Sequence, residues 1–228
     1  MKLTIQQHLH DIQQRIHHAE QQYGRAIGAV KLLAVSKTHS AEKIRQLFAA
    51  GQVAFGENYV QEALSKQAQL NDLALEWHFI GRIQSNKVKL IAERFSWVQT
   101  VSSIEIAKKM NSCRPVTLPP LQVCIQVNIS GEVTKEGVLP AEVERLAAQI
   151  SSLPNLCWRG LMCIPAPTND LHEQHRQFAA MRQLFSMLKV HYPMLDTLSM
   201  GMSADLDAAI AEGATMVRVG TAIFGMRK

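Results

Sequence analysis

No run of apolar residues in this 228-residue chain comes near the ~20 that a membrane-spanning helix needs. The amino terminus is polar and glutamine-rich, without the apolar core of a secretory leader. Neither a membrane nor a secreted protein is expected, and the cytoplasm is the expected location. Cysteine is scarce: Cys113, Cys124, Cys157 and Cys163 form no CxxC pair, and Cys124 lies in an apolar run, which argues for reduced thiols rather than a disulfide framework. Charge of one sign is never massed. The 24 Lys and Arg against 19 Asp and Glu leave +5 spread along the chain, so nucleic acid is not an expected partner. Proline clusters only briefly, and the stretch 114–120 is a loop by length. Residues 1–228 therefore read as a single domain, with no internal sequence repeat.

What is present is alternation. Ile5, Leu9, Ile12, Ile16, Ala19 and Tyr23 share one face of a helix over 3–23, ended by Gly24. Its His8, His10, His17 and His18 have no carboxylate or cysteine at ligand spacing and read as a solvated face, not a metal site. Strands then fall at 32–36, 53–55, 77–80, 97–101, 121–129, 156–164, 197–200 and 215–219. Helices at 41–50, 59–70, 87–94, 103–110, 140–152, 171–191 and 204–212 separate them. Such alternation predicts an α/β fold, a single (β/α)8 TIM-type barrel with an extra N-terminal helix; an open doubly wound sheet is the alternative. After the last strand, residues 221–228 suffice for about two turns, so the N-terminal helix is expected to cover part of the barrel there.

A barrel does its chemistry at the carboxyl ends of its strands. The first strand delivers Lys37 there, a residue that can form a Schiff base with an aldehyde when partly desolvated, or simply end the strand in solvent. The second delivers Asn58, the third carries His78, and the fifth delivers Asn128. His78 reads equally as a ligand contact or as a satisfied core histidine. The loops after strands seven and eight pair glycine with a hydroxyl, Gly201-Met202-Ser203 and Gly220-Thr221. That pattern suits a phosphate, although Ser203 could instead cap the next helix. Arg218 shares the face of Met216 and Gly220, so it points into the barrel and needs an acceptor, either a ligand or a carboxylate such as Glu57. A Schiff-base lysine, a phosphate cradle and an inward arginine together fit pyridoxal 5'-phosphate.

At these residues the chain resembles the YggS/PROSC family, the pyridoxal phosphate homeostasis proteins. The resemblance runs through Ala34-Val35-Ser36-Lys37, Phe55-Gly56-Glu57-Asn58-Tyr59-Val60-Gln61-Glu62, Trp77-His78-Phe79-Ile80-Gly81, Leu198-Ser199-Met200-Gly201-Met202-Ser203 and Val217-Arg218-Val219-Gly220-Thr221. It implies a barrel like the amino-terminal domain of alanine racemase. It further implies Lys37 joined to the cofactor, Arg218 facing the pyridine nitrogen, Ser203, Gly220 and Thr221 on the phosphate, and Asn58 alongside. Arg82 stands where proline occurs in related motifs, and Ala204 where an acidic residue often follows the serine.

Two functions follow from the resemblance: a cofactor carrier acting in pyridoxal phosphate homeostasis, or an amino-acid racemase. A class I aldolase is a third reading of the same lysine. Arginine does not protonate the ring nitrogen, and Tyr23, Tyr59 and Tyr192 are poorly placed as a second racemase acid, so a non-catalytic carrier is favoured. Apo forms of pyridoxal phosphate enzymes are the expected partners, and a monomer is the expected state. The loop 130–137 is expected to be mobile, with Lys135 either taking the aldehyde onward or pairing with Glu132 or Glu136.

Overall fold

The structure, a computed structural model, describes residues 3–132 and 135–225. Its strands are β1 (Lys31–Val35), β2 (Ala54–Glu57), β3 (Glu76–Phe79), β4 (Trp97–Val101), β5 (Leu121–Val127), β6 (Leu156–Cys163), β7 (Thr197–Ser199) and β8 (Met216–Val219). All eight pair in parallel in chain order, and β8 closes on β1 with Leu33 opposite Arg218. That closure excludes the doubly wound alternative. Helix α1 (Ile5–Gln22) precedes the barrel. Helices α2 (Ala41–Ala49), α3 (Val60–Gln69), α4 (Val88–Arg94), α5 (Ile104–Cys113), α6 (Val143–Ser151), α7 (Leu171–His191) and α8 (Leu206–Ala211) alternate with the strands, and α9 (Thr221–Phe224) follows β8.

The two faces of each strand have different fates, as the two-residue side-chain period requires. Ala34, Phe55, Phe79, Val98 and Ile125 face outward into the main core, against helical residues such as Ile44, Ala63, Ile91 and Ile150. The inward residues form two small apolar plugs, Leu33 with Ile80 and Met216, and Trp97 with Cys124 and Met162. A bulge in β6 departs from strict alternation: Val123 pairs with Trp158, but Cys124 pairs with Gly160. Gly160 sits at φ 150°, and a Cβ there would stand 1.9 Å from the Thr197 carbonyl oxygen, so only glycine fits.

Several ends differ from expectation. β5 stops at Val127 because the Asn128 amide donates to the Val138 carbonyl in the returning loop instead of continuing the ladder. α8 begins at Leu206 after Asp205, so Ser203 is not its cap. α9 is one turn rather than two, and residues 226–228 of the expected final helix lie outside the described residues. Helix α1, opened by a Thr4–Gln7 capping box, covers this side. Arg15 reaches the Asp207 carboxylate at 2.7 Å and the Ser203 carbonyl at 2.9 Å, and His8 Nδ1 lies 3.1 Å from the Ile223 carbonyl. His8 is thus tied to α9 rather than merely solvated. No group of His, Cys, Asp and Glu among the described residues could hold a metal ion, and no helix there is long and apolar enough to cross a membrane.

Candidate functional site

The carboxyl end of the barrel gathers the expected residues by backbone parity. Lys37 continues the inward face of Leu33 and Val35, with the mouth residue Asn58 on the β2 side and the Gly220–Thr221 turn on the β8 side. Gly220 comes so close to β1 that a Cβ there would lie 3.2 Å from the Val35 carbonyl oxygen. Gly201, at φ 94°, turns the neighbouring loop, and its carbonyl accepts from the Arg218 amide. Ser203 is half-buried, and Thr221 is exposed at the mouth.

Lys37 sits in a braced turn. Buried Lys66 of α3 donates to the Ser36 carbonyl at 2.7 Å, to Glu57 Oε1 at 2.7 Å and to Glu62 Oε1 at 2.6 Å. Ser36 Oγ donates to Glu57, and the Thr38 amide donates to Glu62. Both neighbours of Lys37 are therefore gripped from behind by one ionic cluster. Thr38 holds φ 66°, a costly left-handed conformation for a β-branched residue, which such gripping sustains. Burial pushes the Glu57 carboxyl up, against the pull of Lys66. Glu57 is therefore not the partner of Arg218: it faces outward from the barrel, and its contacts belong to α3 and the end of β1.

Arg218 is 4 % exposed inside the barrel. It donates from Nη1 to Ser199 Oγ at 2.8 Å and from Nη2 to the Cys163 carbonyl at 2.8 Å. No carboxylate of the described residues pairs with it. Burial lowers its pKa, but a guanidinium keeps its charge across the physiological range. Burial likewise pushes the Cys124 and Cys163 thiols up to about 12, so both are neutral, Cys124 inside the barrel beside Trp97 and Met162 and Cys163 in the main core.

His78 is fully buried below the mouth and stacks on Trp97 at 5.1 Å between ring centroids. Its Nε2 bonds the Glu76 carboxylate at 2.7 Å, and its Nδ1 bonds Gln99 Nε2 at 2.9 Å. It is the satisfied histidine of the two readings its sequence allowed, and its link to Arg218 runs through Gln99 and Ser199. Gln99 was legible only as a polar residue within the apolar run Trp97-Val98-Gln99-Thr100-Val101, and Lys66 only as a helix partner of Glu62.

Polar atoms without partners mark the mouth. Asn58 Oδ1, Asn128 Oδ1 and Ser130 Oγ are buried with no hydrogen bond. Asn128 Nδ2 instead holds the loop after β5, through the Glu132 carbonyl at 2.8 Å. Lys135 lies 3.4 Å from Glu132, and Arg82 spans to Glu136 at 2.8 Å, linking the loops after β3 and β5; Val133 and Thr134 of that loop lie outside the described residues. A parallel barrel with a mouth lysine just after β1, glycine–hydroxyl loops after β7 and β8, and a buried arginine on β8 defines the class of pyridoxal phosphate-type barrels.

The comparisons agree with this class. The family described as alanine racemase, N-terminal domain, matches residues 8–228. A pyridoxal phosphate homeostasis protein of Pasteurella multocida is 56% identical over 99% of this chain and 98% of its own length. One from Escherichia coli K12 is 50% identical over 98% and 97%. Among solved structures, PipY of Synechococcus elongatus PCC7942 with PLP bound has TM-score 0.83 and 37% identity, covering 97% of this chain and all of that one. Alanine racemase of Corynebacterium glutamicum, at 20% identity and TM-score 0.69 over 94% of this chain and 60% of its own, shares the fold. The chain belongs to the alanine racemase N-terminal domain family, and within it to the pyridoxal phosphate homeostasis proteins.

Proposed function

We propose that this chain binds pyridoxal 5'-phosphate in the barrel mouth and serves its homeostasis, buffering and delivering the cofactor rather than turning over a substrate. The observation that carries this reading is Arg218, a buried cation that no carboxylate among the described residues hydrogen-bonds, on the strand beside the one that leads to Lys37. A pyridine nitrogen is the acceptor such a group accommodates, and the orphaned Asn58 Oδ1 offers a further contact. When bound, the group supplies an electrophilic aldehyde and a phosphate. Lys37 holds the aldehyde covalently, while Ser203, Gly220 and Thr221 bind the phosphate through hydroxyl and backbone donors. Arg218 donates to the ring nitrogen without protonating it, which leaves the ring a poor electron sink and suits storage. Apo enzymes receive the cofactor, and the protein works as a cytoplasmic monomer.

Borohydride reduction of the loaded protein followed by peptide mapping is expected to place the pyridoxyl group on Lys37. A pyridoxyl group found only on another lysine overturns the assignment. An aldolase would carry no such group as purified, so the visible absorption spectrum separates that reading.

A further inference from the structure

The interior of the barrel contains one polar chain whose donors all run the same way. Arginine can only donate, so Ser199 Oγ accepts from Arg218 and its own proton goes to Gln99 Oε1, 2.7 Å away. The other end fixes which side of Gln99 is the amide nitrogen: the Glu76 carboxylate only accepts, so neutral His78 carries its proton on Nε2 and accepts at Nδ1, where an amide oxygen could not donate. Gln99 Nε2 then donates to His78 Nδ1 at 2.9 Å, leaving the proton of the neutral imidazole on Nε2, which donates to Glu76 at 2.7 Å. Burial lowers the pKa of His78, in keeping with this neutral form. Residues from β3, β4, β7 and β8 thus join a carboxylate at the amino end of the barrel to a guanidinium at the mouth. Gln99 also donates toward Met216 Sδ at 3.1 Å, and Trp97 covers the imidazole, so the chain is packed on its flanks.

We propose that Glu76, His78, Gln99 and Ser199 are positioning residues. The chain orients Arg218 toward the cofactor's ring nitrogen, with the Glu76 carboxylate as its terminal acceptor; Asp205, whose charge also acts on Arg218, lies outside the chain. Aligned donors polarise one another in a dry interior, so a negative terminus strengthens each link toward the cation. A direct carboxylate partner would occupy the guanidinium face that the ring nitrogen needs; the relayed one leaves it open. This inference rests on the assignment of Arg218 to the pyridine nitrogen.

The test compares the affinities of pyridoxal phosphate and its 1-deaza analogue, in which a C–H replaces the ring nitrogen, for wild type, Glu76→Gln and Ser199→Ala. Wild type is expected to prefer pyridoxal phosphate by about tenfold or more, the range of one charge-assisted hydrogen bond. Ser199→Ala is expected to lose most of that preference, and Glu76→Gln, which keeps the shape of the chain but removes its charge, a few-fold of it. A residue with only a structural role would weaken both ligands alike, so a preference unchanged in both variants overturns the inference while leaving cofactor binding intact. No preference in wild type overturns the Arg218 assignment and the inference with it. The near-isosteric Glu76→Gln, at a half-buried position, keeps the test open should Ser199→Ala fold poorly.

Discussion

Lys66 carries the largest single burden among the polar residues outside the mouth. It is 4 % exposed and its main partner, Glu57, is fully buried, with Glu57 Oε2 already unpartnered. Burying charge costs several kcal/mol per ion, and removing one partner leaves the other uncompensated. Lys66→Met is therefore expected to destabilise the fold by about 3–5 kcal/mol in urea unfolding, and a Glu57→Leu/Lys66→Leu double variant to recover most of the loss. A single-variant effect below about 1 kcal/mol would mean that the cluster is solvated and does not brace the Lys37 turn.

At the scale of elements, the loop before α8 carries Ser203 and helix α9 opens on Thr221, and α1 backs both through Arg15 and His8. Combining Ser203→Ala with Thr221→Ala is expected to weaken pyridoxal phosphate by about 1.5–3 kcal/mol per bond lost while leaving unphosphorylated pyridoxal nearly unaffected. Equal losses for both ligands would assign these hydroxyls to local structure. The loop after β5 carries a second lysine. Lys135 sits against Glu132 with its Nζ buried, and a lysine amine accepts an aldehyde by imine exchange. Lys135→Ala is expected to keep cofactor affinity and to slow transfer to an apo enzyme; transfer at the wild-type rate leaves Lys135 only its ion pair with Glu132.

For the whole molecule, the buried interior chain ties stability to pH. Burial holds the His78 pKa below its ordinary 6.5, so below that pH the unfolded chain takes up a proton that the folded barrel refuses. The unfolding free energy therefore falls as pH drops from about 6.5, until the depressed folded pKa is reached. The bond from His78 holds the Glu76 carboxyl below its usual range, and that contribution disappears at still lower pH, as the carboxylate protonates. Urea midpoints between pH 7.5 and about 5 are expected to decline in wild type and to decline less in His78→Gln; parallel profiles would show that the acid response arises elsewhere.

The alternation of strands and helices, the inward parity of Arg218 and the glycine–hydroxyl turns were legible in the amino-acid order, because each depends on a local period or on a local backbone need. Lys37 was legible for the same reason, as a lysine ending an apolar strand. The partners were not. Nothing near Arg218 in the chain points to Ser199, nor near Ser199 to Gln99, 100 residues away. The sequence allowed Glu57 as an arginine partner, but closure of the barrel turned it outward onto Lys66. The bulge at Gly160 and the left-handed Thr38 also lay beyond it, since both exist only because neighbouring strands and α3 press against them. Local chemistry determined which residues reach the mouth; packing across the barrel decided what each one touches.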